Sequence, residues 1–157
     1  VSVTSDGTRL FVADLGHNRV LMWNSIPTRN QQPADIVIGQ PDFTSAIANN
    51  SPRLCPSNGT DETTKEATFP RRCDKTLDFP RYALSDGKRL YIADGGNDRV
   101  LIYNRIPTAN APAADVALGQ RSIDLNLTSD SAFPGFVSAA DVIRTPTSLA
   151  TDGFNLY

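Results

Sequence analysis

Residues 5–24, SDGTRLFVADLGHNRVLMWN, return as residues 85–104, SDGKRLYIADGGNDRVLIYN, and this return decides the fold. The register holds without a gap for about forty residues, with about half of the positions identical. Downstream, Ile26-Pro27-Thr28 falls on Ile106-Pro107-Thr108, and Ala34-Asp35 and Gly39-Gln40 fall on Ala114-Asp115 and Gly119-Gln120. A third copy opens at Pro146, where Thr151-Asp152-Gly153 and Leu156-Tyr157 match Ser85-Asp86-Gly87 and Leu90-Tyr91. Self-similarity at this period marks an array of one supersecondary unit, each copy burying its neighbour's apolar face.

Each unit reads as four short strands separated by turn signals, in the first copy about Val1 to Thr4, Leu10 to Ala13, Arg19 to Trp23 and Asp35 to Gly39. Asp6-Gly7 supplies a left-handed residue for the first connection, and Gly16 is expected to do the same for the second. Pro27 and Pro33 lack the amide proton that a central ladder needs, so the third connection is a loop. Leu10-Phe11-Val12-Ala13 and Val20-Leu21-Met22-Trp23 are apolar at consecutive positions, so both faces of the sheet must be covered. A parallel sheet would also explain such runs, but it needs long crossovers that the short connections forbid. The expectation is an all-β chain of four-stranded antiparallel sheets stacked face to face, as in the blades of a β-propeller, with a β-sandwich as the rival.

The units divide the chain into a first blade at 1–43, an insertion at 44–79, a second blade at 80–123, a connecting loop at 124–145 and the start of a third blade at 146–157. Apolar residues at 39% and charged residues at 20% describe a chain that can build a core, which disordered sequences cannot. No apolar run is long enough to cross a bilayer as a helix. A net charge of -2 supplies no general attraction for phosphate backbones.

The string from Arg9 to Leu21, repeated from Arg89 to Leu101, resembles the NHL repeat. Extended through Trp23-Asn24-Ser25-Ile26-Pro27-Thr28 to Gly39-Gln40-Pro41-Asp42-Phe43, it is similar to the long-spaced NHL blades of large secreted bacterial proteins. The resemblance implies a closed ring, commonly of six blades, with the long insertions on one rim. Two blades and part of a third cannot close, so the parent is expected to continue beyond Val1 and Tyr157, and this piece is expected to expose apolar sheet faces.

The residues offer several candidate sites. Asp14 and Arg19 recur as Asp94 and Arg99, and repetition in every unit argues for a structural turn device rather than a grafted site. His17 is the sole histidine and stands where the second copy has Asn97; some NHL-like propellers hold zinc with histidines from several blades, but one histidine supplies no such site. Cys55 and Cys73 lack C-x-x-C spacing and are expected to pair as a disulfide, which implies an oxidising compartment: secreted, periplasmic or cell-surface. Asn49-Asn50-Ser51, Asn58-Gly59-Thr60 and Asn126-Leu127-Thr128 fit the glycosylation pattern, which carries no weight in a bacterial protein. Arg71, Arg72, Lys75 and Arg81 form a loose basic cluster interrupted by Asp74 and Asp78, with Phe69 and Phe79 expected to anchor the insertion.

No phosphate loop, nucleophile set or dense carboxylate cluster is present, and no cofactor is expected. The favoured function is a non-enzymatic binding or scaffold propeller that recognises a protein or glycan partner through rim loops, the insertion foremost. The alternatives are a propeller lyase or hydrolase whose metal ligands lie on other blades, and single-stranded RNA binding on a basic rim.

Overall fold

A computed structural model describes residues 2–120, 122–123 and 139–157. The first repeat forms an antiparallel sheet of β1 (Ser2–Ser5), β2 (Leu10–Asp14), β3 (Arg19–Trp23) and β4 (Ile36–Ile38), in that order. The insertion carries a short helix α1 (Ser51–Leu54) and a two-stranded hairpin of β5 (Gly59–Thr60) and β6 (Ala67–Thr68). The second repeat forms a matching sheet of β7 (Pro80–Ser85), β8 (Leu90–Asp94), β9 (Arg99–Tyr103) and β10 (Val116–Leu118). Registers repeat as well: Ala13 stands opposite Val20 as Ala93 stands opposite Val100, and Val37 opposite Leu21 as Ala117 opposite Leu101.

The two sheets share one apolar core, but they enter it with opposite faces. The first contributes Phe11, Ala13, Val20, Met22, Ile36 and Ile38; the second contributes Ala83, Leu90, Ile92, Leu101 and Tyr103. The second sheet turns its other face, Tyr91, Ala93 and Val100, to Leu149 of the third copy. By the repeat alignment, that face corresponds to Phe11, Ala13 and Val20. The back face of the first sheet, with Leu10, Val12, Leu21 and Trp23, is half-buried, whereas its counterparts Leu90, Ile92, Leu101 and Tyr103 are buried. Each such side chain gains about 1.5–3 kcal/mol on full burial, so the same sequence is more strongly held in the second repeat than in the first. Beside this core, Thr4 Oγ1 donates to the Ala83 carbonyl (2.7 Å) and Ser85 Oγ donates to Asp6 Oδ2 (3.1 Å), fixing β1 against β7.

The local devices differ in detail from the sequence reading. Gly7 takes φ +89°, but Gly16 does not adopt a left-handed conformation; Asn18 does, at φ 53°, and Asp98 repeats it. Asn and Asp tolerate that region because their short polar side chains bond locally or nearby, which frees the glycine of the role. The fourth strand is Ile36–Ile38 rather than Asp35–Gly39, because Gly39 leaves the strand at φ +88° to bridge Thr76. The first strand is Ser2–Ser5, with Val1 outside the described residues, and the second extends to Asp14, which pairs with Arg19. The triplet at Asn126 and most of the loop at 124–145 also lie outside the described residues.

Cys55 and Cys73 form a disulfide with a Cα–Cα distance of 5.9 Å, buried beside Leu54 and packed by Ala111. No helix among the described residues is long and apolar enough to cross a membrane.

A Cβ on Gly39 would lie 2.6 Å from Leu77 Cδ1, whereas one on Gly7 would meet nothing. Gly39→Ala is therefore expected to cost about 3 kcal/mol from overpacking and backbone strain together, and Gly7→Ala about 1 kcal/mol from strain alone. Urea titrations of the two variants measure the difference.

Candidate functional site

The turn between the second and third strands of each repeat is a single device used in two settings. A one-turn 3-10 segment follows Asp14, the chain reverses at left-handed Asn18, and Arg19 Nε returns to Asp14 Oδ2 at 2.9 Å. The second repeat builds the same turn with Asp94, Asp98 and Arg99, the guanidinium lying 2.8 Å from Asp94. In each copy Nη1 also donates to the carbonyl of the residue leaving the sheet, Phe43 in the first and Ile123 in the second. Asp14 accepts from the His17 and Arg19 side chains, not from turn amides. Partial burial pushes its carboxyl up, but those hydrogen bonds and the Arg19 charge outweigh burial and hold it below its ordinary value.

The settings differ because the insertion covers the second turn. Arg99 Nη2 donates to the carbonyls of Cys73 (3.0 Å) and Thr76 (2.8 Å), and Asp94 Oδ1 accepts the Asp78 amide (2.8 Å). Arg72 Nη1 donates to the Asn97 carbonyl (2.9 Å) and to its side-chain oxygen, and Asn97 exchanges amide hydrogen bonds with Asn49. Arg99 and Asp94 are thereby fully buried. Burial, reinforced by the neighbouring Arg99 charge, lowers Arg72 to about 10. Arg72 is thus a buried clamp, which leaves Arg71, Lys75 and Arg81 as the remainder of the basic cluster. Phe79 differs from expectation too: the residue is 47% exposed, and its backbone does the anchoring, the amide donating to Asn18 Oδ1 at 3.0 Å.

Above this clamped base the insertion offers a free surface. Residues 56–67, which include β5 and its turn, are all exposed, while Cys55 and Cys73 at the base are buried. Asp61 shapes the tip by accepting the amides of Thr63 (2.8 Å) and Thr64 (2.7 Å). Asn58 lies on this surface, whereas the Asn49 side chain is committed to Asn97. A concavity of about 690 Å³ is lined by Tyr103, Ile106, Pro107, Pro112 and Asp115 among others. In the first repeat Trp23 Nε1 closes the equivalent loop by donating to the Gln32 carbonyl at 3.0 Å; in the second, the buried Tyr103 hydroxyl has no hydrogen-bond partner among the described residues.

His17 is exposed, with Nδ1 3.0 Å from Asp14. Among the described residues no three His, Cys, Asp or Glu side chains are placed to hold a metal ion. Sequence reasoning missed the carbonyl-binding side chains: Gln40 Nε2 donates to the Asn18 carbonyl (3.0 Å), and Gln120 repeats the contact with Asp98 (3.0 Å). The recurrence of Gly-Gln after the fourth strand was the available signal. No family model, curated protein or solved structure matches this chain.

Two outcomes follow from the buried setting. Arg99→Met leaves Asp94 buried without its counter-charge and is expected to cost about 3–5 kcal/mol, while Arg19→Met at the partly exposed pair costs less than about 1 kcal/mol. Equilibrium unfolding of both variants reads the contrast. Burial, and then the negative charge of Asp94, raise the Asp78 carboxyl above its ordinary value. A carboxyl raised on folding loses stability as pH climbs through the interval from its unfolded to its folded pKa. Asp78→Asn is therefore expected to be more stable than the parent at pH 7, with the advantage vanishing towards pH 3; denaturant midpoints across that range test the sign.

Proposed function

We propose that the two sheets are consecutive blades of an NHL-type β-propeller and that the chain serves as a non-enzymatic recognition module. Its partner is a protein or glycan, contacted through the insertion at 44–79. The observation that supports the blade reading is the alternation of faces. Each sheet offers Phe11-type residues forward and Leu10-type residues backward, an arrangement that can be extended indefinitely in one direction. A β-sandwich pairs two inward faces and leaves each sheet a polar outside, but Tyr91, Ala93 and Val100 give the second sheet an apolar second face.

The recognition reading rests on the contrast within the insertion. Its base is fixed by the disulfide, by Arg72 and by the Arg99 contacts, while residues 56–67 stay exposed. A hairpin held at its root loses little conformational freedom on binding, so its contacts are turned into affinity efficiently. The disulfide favours an oxidising compartment, hence a secreted, periplasmic or surface location in a bacterial source, as the resemblance implies.

Probing glycan arrays and panels of purified surface proteins with the whole chain, and then with a variant whose residues 58–66 are replaced by a Gly-Ser linker, tests the assignment. Binding that falls at least about tenfold in the variant supports it, since loss of a central contact costs 1.4 kcal/mol or more. A partner held equally well by both proteins would move recognition elsewhere.

A further inference from the structure

The loop between the third and fourth strands is built on one frame in both repeats. The Asn24 amide donates to Asp35 Oδ2 (2.8 Å) as the Asn104 amide donates to Asp115 Oδ2 (2.7 Å). The Asp35 and Asp115 amides return to the carbonyls of Met22 and Ile102, both at 2.9 Å, and Gln31 and Ala111 hold left-handed backbones at φ 56° and 51°. What fills the frame differs. In the first repeat Gln32 plugs it: its carbonyl accepts Trp23 Nε1 (3.0 Å), and its side-chain oxygen accepts the Thr28 amide (3.2 Å).

In the second repeat Pro112 replaces Gln32 and Tyr103 replaces Trp23, and both contacts are lost. The shorter Tyr103 leaves its buried hydroxyl without a hydrogen-bond partner, and Pro112 has no side-chain acceptor for the Thr108 amide, which has no partner among the described residues. The concavity of about 690 Å³ lies between these residues, many times the ~30 Å³ that one water takes. Burial raises the Tyr103 pKa above its ordinary value, which keeps the hydroxyl protonated and able to donate. Arg105, in place of Ser25, adds to the lining a guanidinium without an ion-pair partner among the described residues. Asp115, the one carboxylate in the lining, is already engaged by the Asn104 amide, while Ile106 and Pro107 add apolar surface.

The loop is fixed before anything binds. The Ala111 amide donates to the Val37 carbonyl (2.9 Å), the Ala114 amide to that of Asp74 (3.0 Å) and the Ile106 amide to that of Lys88 (3.1 Å). The sheet that follows a repeat also leaves this loop uncovered. In the first repeat residues 28–31 are exposed, and the loop at 24–35 forms no hydrogen bond to the second repeat among the described residues.

We propose that this concavity binds a small organic carboxylate with an apolar body, its oxygens accepting from the Thr108 amide and the Tyr103 hydroxyl beside the Arg105 charge. The ligand supplies from outside the acceptor that the first repeat carries in its own chain as Gln32. Reaching the hydroxyl takes a shift of the loop at its exposed residues Thr108 and Ala109. Because that hydroxyl is shut from water, the bond it gives displaces no bond to solvent. The site shares no residue with the insertion at 44–79.

Titrating the isotope-labelled full chain with hexanoate, and separately with neutral hexanamide, tests the site at the Thr108 amide resonance. Hexanoate is expected to move that resonance along a saturable curve, and hexanamide to bind at least about tenfold more weakly for want of a charge-assisted bond. Arg105→Ser, which installs the first repeat's residue, is expected to weaken hexanoate about tenfold. Pro112→Gln restores the internal plug and is expected to abolish binding. Tyr103→Phe removes a hydroxyl that has no partner, so its thermal midpoint is expected to be unchanged or raised while hexanoate binds about fivefold more weakly. No saturable shift up to about 10 mM, equal affinity for acid and amide, or undiminished binding in Pro112→Gln overturns the proposal. A lowered midpoint in Tyr103→Phe does so as well, since it reveals an internal partner for the hydroxyl.

Discussion

A guanidinium shut away from water must have its N–H groups met by acceptors, and Arg99 satisfies this by drawing three separate segments to one point. Its own turn supplies the Asp94 carboxylate, the chain leaving the sheet supplies the Ile123 carbonyl, and the insertion supplies the carbonyls of Cys73 and Thr76. Three of those acceptors are backbone oxygens, so the position of the insertion is set by where its main chain runs rather than by its side chains. Asn97 and Arg72 extend the same logic, with the Asn97 carbonyl and side chain both engaged. The first repeat builds the identical pair between Asp14 and Arg19 but leaves it partly in water, where such a pair contributes little.

This difference in setting extends to the strands that flank the turn. Residues related by the repeat have the same backbone and nearly the same chemistry, yet β8 is buried on both faces and β2 on one, while the fourth strands reverse the contrast, β4 being buried and β10 exposed at Val116 and Leu118. Stability is thus a property of the contact between neighbours more than of the unit itself, as in other repeat arrays. The exposed hairpin is held by that contact, because the segment carrying it is tied to the turn of the sheet that follows it.

Much of this architecture was legible in the sequence. The repeat gave the sheets, their order and the loops, and the doubly apolar strands required cover on both sides. The Asp and Arg pairing was visible because it recurs at fixed spacing within one turn. What escaped was long-range. Arg72 reads as a surface charge until Asn97, 25 residues on, is known to lie above it, and Phe79 reads as an apolar anchor until its amide is seen to bond Asn18, 61 positions away. The glycine error had a local cause: Gly16 is permissive of a left-handed turn, but Asn18 bears the polar side chain that the turn also uses to hold the Ala46 carbonyl.

The disulfide joins two ends of a segment whose intervening tip, residues 56–67, is exposed throughout. Substitutions within residues 56–67 meet few packing constraints, so the tip can change residue by residue while the frame beneath, Arg72 included, is kept. The tip can therefore change its surface chemistry without disturbing the fold that carries it.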